Sequence, residues 1–400
     1  GESMPVEREA VCGSEERSDA LVRVQPGEGV QVAVRSKSGP MYEERVAEVV
    51  RESVNRLGET GAQLEVRETG AYDHVIAARV EGALWRSGTG GEAFHQPLPL
   101  QVDRGATPRD RLRRTRLYTP GNNARTLAFA DTFGPDCVLL DLEDAVAPSE
   151  KDAARFLVRR VLATMDFGDA ELWVRINPLE RGGKEDLRVV LGGRPHGICL
   201  PKAETAVQVT ELAGLLYELE GRYGLPWRLW QMPIIESPKG ALAAPDIAQA
   251  SERVVCLAFG AEDYTREVGC SRDWEALLWA RSQVVSAAKA AGVGASDSVF
   301  ANVENEEALV EETNRARRLG FDGKGVIHPL QIESVHRTLA PSPEEISWAR
   351  GVVSAAEEAE RRGSGAIAYR GSMVDRPVLL RARRILEVAH ELGMEVENAS

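Results

Sequence analysis

The chain has 400 residues, 43% apolar and 28% charged, which is ordinary globular material long enough for one large domain or two to three of common size. Asp and Glu outnumber Lys and Arg 62 to 49, and the net charge of −13 speaks against nucleic acid or an anionic membrane as the main partner, although a local Arg or metal ion can still suit one pocket to an anionic small molecule. No apolar run approaches a membrane span, no signal-peptide pattern is present, and the five Cys form no CxxC pair, so a cytoplasmic protein with buried reduced thiols at Cys137, Cys199 and Cys256 is expected.

Residues 1–87 predict a small α+β domain. Residues 21–24 and 30–34 alternate as two strands, with Pro26-Gly27-Glu28-Gly29 as the turn between them. A helix over 41–57 places Val46, Val49, Val50, Val54 and Leu57 on one face and stops at Gly58. Leu64 and Val66 mark a third strand. A second helix follows, with Tyr72, Val75, Ile76, Val80 and Ala83 as its buried stripe and Arg79 at the edge. No catalytic constellation is visible in this region. Residues 88–111 have linker composition, with a Gly-rich start, Pro97 and Pro99, and a charged run.

From 112 to 335 strand and helix alternate. Strands are expected at 116–118, 137–142, 171–176, 197–200, 229–235, 254–259, 296–300 and 325–327, with helical patterns such as 204–223 and 305–319 between them. This number of strand–helix units predicts an α/β fold of the (β/α)8 TIM-barrel type. An open doubly wound sheet is the rival, and the absence of GxGxxG after the first strand weakens its dinucleotide-binding form. A helical extension over 336–400 follows, with helices at 343–362 and 378–392 and an irregular stretch at 366–374.

Such barrels keep their chemistry at the C-terminal ends of the strands. Asp141, Glu143 and Asp144 end the second strand, Arg175 and Asn177 the third. Lys202 and Glu204 follow the fourth, Glu236 and Ser237 the fifth, Glu262 and Asp263 the sixth, and His328 the eighth. A buried carboxylate at Glu236 needs a cation or hydrogen-bond donors, and with Asp263 on the next strand it suits Mg2+, or both residues merely cap the following helices. Without clustered His and Cys, zinc is disfavoured. Arg175 holds a carboxylate or oxyanion, or pairs with Asp141 or Asp144. Lys202 reads equally as structural, and His328 reads more readily as a hydrogen-bonded structural residue than as a base. Glu143 and Asp144 orient water around a metal or pair with nearby arginines.

The motifs Tyr118-Thr119-Pro120-Gly121-Asn122, Asp141-Leu142-Glu143-Asp144, Arg175-Ile176-Asn177, Leu200-Pro201-Lys202, Ile235-Glu236-Ser237-Pro238, Gly260-Ala261-Glu262-Asp263, Ile327-His328-Pro329 and Ser372-Met373-Val374-Asp375 resemble, in type and order, the citrate lyase β-subunit or citryl/malyl/citramalyl-CoA lyase family over about 112–390. The resemblance implies a Mg2+-dependent barrel that cleaves a hydroxyacyl thioester into a 2-keto acid and a shorter acyl thioester. It implies Glu236 and Asp263 as metal ligands, Arg175 beside the substrate carboxylate or enolate oxygen, and Glu143 and Asp144 around the metal. Asp375 would reach a neighbouring protomer's site and protonate the enolate carbon, which implies a homo-oligomer, a trimer or hexamer.

The motifs Cys12-Gly13-Ser14, Gly61-Ala62-Gln63-Leu64-Glu65-Val66 and Ala77-Ala78-Arg79-Val80-Glu81-Gly82 resemble the citrate lyase γ-subunit, an acyl carrier with a CoA-derived prosthetic group on a serine. Aligned through Gly13 and Asp19, that serine falls at Arg17, which cannot carry the group, and Ser18 and Ser14 are the neighbouring candidates. The expected substrate is a free CoA thioester, or a carried one loaded by a citrate lyase α-like acyl transferase. A hydroxyacyl-CoA thioesterase and a non-catalytic carrier or assembly subunit are the competing readings.

Overall fold

The computed structural model describes residues 5–363 and 367–394. The chain divides between Ile332 and Glu333 into two compact units.

The first unit begins with β1 (Ala10–Cys12), β2 (Ala20–Pro26), β3 (Gln31–Ser36), α1 (Pro40–Leu57), β4 (Ala62–Glu68) and α2 (Asp73–Arg86). The sheet order is β1-β2-β4-β3. Residues 26–29 therefore do not close a hairpin. The chain crosses through α1, so β4 enters between β2 and β3, antiparallel to one and parallel to the other. The apolar face of α1 covers this sheet, and Gly58 ends the helix in the left-handed conformation with φ 73°. β1 is too short for its alternation to be read, since Cys12 is its one buried residue.

α2 departs most from expectation. Every residue from Val75 to Leu84 is buried, Arg79 and Glu81 included, whereas Tyr72 is exposed. The helix is enclosed because the barrel helix Lys151–Thr164 covers the face that the sheet leaves open. On its other side Gly82 permits the close approach of β1, as a Cβ there would lie 2.5 Å from Cys12 Sγ.

The barrel strands are β5 (Thr115–Pro120), β6 (Cys137–Asp141), β7 (Glu171–Arg175), β8 (Gly197–Leu200), β9 (Trp230–Ile235), β10 (Cys256–Phe259), β11 (Gly294–Asp297) and β12 (Gly323–Val326). All pair in parallel and β12 closes onto β5, giving the eight-stranded barrel. The intervening helices are α3 (Ala124–Leu127), α4 (Lys151–Thr164), α5 (Gly183–Val190), α6 (Ala206–Tyr223), α7 (Pro238–Gln249), α8 (Ala261–Val268), α9 (Trp274–Ala290) and α10 (Glu306–Leu319). Along β6, Cys137 and Leu139 face the barrel interior with Trp173, Cys199 and Met232, while Val138 and Leu140 face the helices. Burial on both faces explains the uninterrupted apolar runs. β11 begins at Gly294, earlier than expected, because it pairs with Cys256 of β10, and residues 298–300 are loop.

The first domain and the barrel share one continuous apolar core. Their interface holds a buried ionic cluster in which Glu81 accepts from Arg159 at 3.0 Å, from Arg160 and from Arg56. Those guanidiniums hold its carboxyl well below the usual range although burial alone would raise it. Residues 88–111 lie along the barrel. Phe94 is fully buried against Trp85 and Phe156, and Arg104 donates to the carbonyls of Gly193 and Arg194.

α11 (Leu330–Leu339) crosses the boundary between the units. The second unit contains α12 (Pro343–Arg361), the short pair β13 (Ala368–Tyr369) and β14 (Ser372–Met373), and α13 (Arg376–Glu391). The described part of the expected irregular stretch is thus a hairpin, and Ala366 lies outside the described residues. Ala349, Val352, Val374 and Ala382 form this unit's core. Among the described residues no helix is long and apolar enough to cross a membrane.

Candidate active site at the barrel mouth

A cavity of about 410 Å³ opens at the C-terminal ends of the barrel strands, lined by residues of β5, β6, β7, β9 and β10, by the loops after β6, β9, β11 and β12, and by the start of the helix after β10. Glu236 follows β9 directly and is 4% exposed. One carboxylate oxygen accepts the Lys202 backbone N–H at 2.7 Å, and the other has no donor among the described residues. Burial raises this carboxyl to about 8, against the opposing pull of Arg175 and the Lys202 N–H. Glu236 lies across Gly260, where a Cβ would sit 2.6 Å from Oε2 and 2.7 Å from the Glu236 Cβ. Asp263, in the first turn of α8, pairs with Arg266 and lies 3.7 Å from the Lys202 ammonium.

Arg175 ends β7 directly opposite Asp141 on β6. Its Nε and Nη2 each donate to Asp141 at 2.7 Å, and Nη1 lies 3.3 Å from Glu143 and 3.7 Å from Asp144. Arg175 is therefore both an ion-pair partner of Asp141 and part of the cavity wall. The guanidinium also lies over the Tyr118 ring at 5.2 Å. Asp141 accepts the backbone N–H groups of Glu143 and Ala145 as well, so one carboxylate positions both the arginine and the acidic loop.

Lys202 adopts a left-handed backbone conformation, φ 49°, which a non-glycine residue holds only against strain. Its backbone N–H meets Glu236, while its ammonium meets Glu143 and lies 3.9 Å from Asp144. Burial raises the Glu143 carboxyl. Asp144 moves down, because its contact with Glu143 and the charges of Arg175 and Lys202 outweigh burial.

Several sequence candidates stand apart from this cluster. His328 is exposed, and its Nδ1 accepts from the Leu330 N–H at 3.2 Å. Asn177 binds the Leu142 carbonyl and Asp186, and Glu204 pairs with Lys239 at the surface. Asp375 caps α13 through the Val378 N–H at 3.1 Å, within the second unit. Ser14 donates to Asp19 at 2.9 Å, and Ser18 is held with φ 69°. Sequence reasoning gave no role to Tyr118 or Gly260, and it left Asp141 and Asp144 as alternative ion-pair partners of Arg175. The register that sets Asp141 beside Arg175 was the available signal for that choice.

Among the described residues no three His, Cys, Asp or Glu side chains gather as a metal-binding group. Glu236 and Asp263 nevertheless fit Mg2+. They are hard oxygen donors without imidazole or thiolate, one Glu236 oxygen lacks a donor, and two protein carboxylates leave room for water and substrate oxygens.

Fold and site together define a (β/α)8 enzyme whose mouth gathers carboxylates around an arginine and a lysine. Residues 114–329 match the HpcH/HpaI aldolase/citrate lyase family, and the chain belongs to that family as a carbon–carbon lyase of the oxo-acid-lyase type. Residues 7–87 match an acyl-carrier family described as malonate decarboxylase delta subunit. The chain is 45% identical over 285 residues to the citrate lyase subunit beta of Leuconostoc mesenteroides subsp. cremoris, covering 70% of this chain and 94% of that protein. It is 34% identical over 291 residues to the mitochondrial citramalyl-CoA lyase of Mus musculus, covering 69% and 86%. It is also similar to the crystal structure of CitE from Mycobacterium tuberculosis in complex with magnesium, acetoacetate and coenzyme A. That match has 34% identity and a TM-score of 0.58, and covers 70% of this chain and 98% of the other.

Proposed function

We propose that the chain is a Mg2+-dependent lyase that cleaves a citryl, malyl or citramalyl thioester into oxaloacetate, glyoxylate or pyruvate and a shorter acyl thioester. The observation that carries this reading is the meeting of Glu236, Asp263 and Arg175 on one cavity at the barrel mouth. In this reading Glu236 and Asp263 hold the metal ion, which when bound supplies the positive charge that favours ionisation of the substrate hydroxyl. Glu143, whose proton affinity burial raises, receives the hydroxyl proton. The Asp141 fork fixes the Arg175 plane, and the guanidinium steadies the substrate carboxylate or the oxygen of the thioester enolate formed when the C–C bond breaks. Lys202 keeps Glu143, Asp144 and Asp263 together against their mutual repulsion. Asp375 of a neighbouring protomer protonates the enolate carbon, in an assembly of three or six copies.

The acyl-carrier match over 7–87 supports a second form of the same reading. In it a CoA-derived group on Ser18 or Ser14 carries the substrate, and an α-like acyl transferase loads it.

The test is 2-keto acid release from citryl-, malyl- and citramalyl-CoA with Mg2+. Release from one of them, abolished by Asp263→Ala, supports the reading. Free CoA with an intact hydroxy acid would instead mean a thioesterase. No product from any of the three, with no CoA-derived mass on the protein, would point to another acyl group or to an inactive barrel.

A further inference from the structure

A second cavity, about 620 Å³ and polar, lies between the loop of residues 13–19 in the first domain and the barrel loops that follow β5 and β6. Three guanidiniums line it. Arg79 is committed: it donates to both oxygens of Asp19 at 2.8 and 3.0 Å and to Asn122 Oδ1 at 2.6 Å. Arg17 and Arg125, one from each domain, are exposed and make no ion pair with any other described residue. Of the carboxylates, Asp19 is held by Arg79, and Glu150 by Arg86 at 3.2 Å and the Asn122 amide at 3.3 Å. Glu16 alone has no described partner, so the uncommitted charge of the groove is positive. Two unpaired guanidiniums against a single unpaired carboxylate leave this polar cavity suited to an anion with several acceptor oxygens.

The position of the groove narrows the choice of anion. β5 supplies its last residue, Pro120, to the active-site cavity, and the loop after it supplies Asn122 to the groove. The β6 loop likewise supplies Asp144 to one and Glu150 to the other. A ligand with its reacting group at the mouth and an anionic end in the groove therefore has only these two loops to cross. A CoA thioester has that form, with the thioester at one end of an extended pantetheine arm and the nucleotide phosphates at the other. The groove is also fixed in place, because Arg79 ties residue 19 to the β5 loop and Arg86 grips Asp152 at 2.6 Å.

We propose that this groove is the phosphate subsite for a free CoA thioester, with Arg17 and Arg125 as its cations. The proposal deepens the lyase reading and rests on it for the identity of the ligand. The first domain then acts as a fixed half of the binding site rather than as a mobile carrier.

Calorimetric titration of the full chain with CoA, and separately with pantetheine, tests the proposal. Arg17→Glu and Arg125→Glu should each weaken CoA binding about tenfold or more, as expected for losing a charge-assisted contact, and leave pantetheine binding unchanged. Arg17→Gln and Arg125→Gln should give smaller losses of the same kind, and an unchanged thermal midpoint shows that the fold is intact. CoA affinity that ignores all four substitutions would overturn the proposal, and so would a CoA-derived mass on Ser14 or Ser18. Keto-acid release, measured separately, isolates the other claim. Release with Arg-independent CoA binding removes the groove alone, whereas Arg-dependent binding without release removes the reaction alone.

Discussion

Gly260→Ala isolates the placement of Glu236 from its chemistry. Gly260 has φ −111° and ψ 92°, which an alanine adopts without strain, so the substitution acts only through the added methyl. That methyl would meet Glu236 Oε2 at 2.6 Å and the Glu236 Cβ at 2.7 Å, where ordinary carbon contacts begin at roughly 3.5 Å. The carboxylate must shift by about 1 Å. Since the Cβ is anchored by β9, rotation of the side chain alone does not relieve the clash. Overpacking of this kind costs about 1–3 kcal/mol. A displacement of about 1 Å in a positioned group lowers rate on the order of 100-fold. The assay is keto-acid release against Mg2+ concentration, alongside urea unfolding. The expected variant is folded, about 100-fold slower, and needs more Mg2+ for half its maximal rate. Full activity with an unchanged Mg2+ dependence would refute the reasoning, because Glu236 would then tolerate displacement and its position could not matter to the reaction.

Gly214→Ala, inside α6 with no atom within 4 Å of the new methyl, should stabilise the protein by about 0.5–1 kcal/mol in urea unfolding and leave activity alone. His196 accepts the Leu172 N–H on Nδ1 and faces the Gly105 carbonyl with Nε2, so it works as a neutral ring, and burial lowers its pKa to about 4. A folded pKa below the unfolded value stabilises above about pH 6.5 and loses that stability as the pH falls toward 4, with about 2 kcal/mol lost between pH 7 and pH 5. His196→Gln should flatten that part of the urea-midpoint profile, and a slope identical to wild type would contradict the assignment. Arg79→Ala leaves Asp19 buried without its partner, at a cost of about 3–5 kcal/mol. Hydrogen exchange should then quicken in residues 13–19 and α2, and unchanged protection there would show that the first domain is held by other contacts.

The barrel was legible because its strands are buried on both faces. Runs such as Cys-Val-Leu-Leu before Asp141 announce such strands, and the polar residues that end them fall on one rim. The first domain was harder. Its three-residue β1 carries no periodicity, and nothing local says that β4 enters between β2 and β3. Arg79 looked like the edge of a solvated helix. Its partner Asp19 lies 60 residues away, and the Arg159 that meets Glu81 lies 78 away, so their burial follows from docking that sequence periodicity cannot express. At the mouth, the sequence leaves Arg175 between a substrate role and an ion pair with Asp141 or Asp144. The structure shows that ion pair beside the cavity, and the two roles do not compete. The strained backbone of Lys202 has no sequence signature beyond the preceding proline.

The central claim is most directly tested by incubating the protein with Mg2+ and each of citryl-, malyl- and citramalyl-CoA. The assay is repeated with Asp263→Asn, which keeps the side-chain volume and removes one proposed metal-binding charge. The account predicts 2-keto acid from one thioester in wild type, lost on chelation of Mg2+ and reduced on the order of 100-fold or more in the variant. Keto-acid release that persists undiminished in Asp263→Asn or after chelation would contradict it.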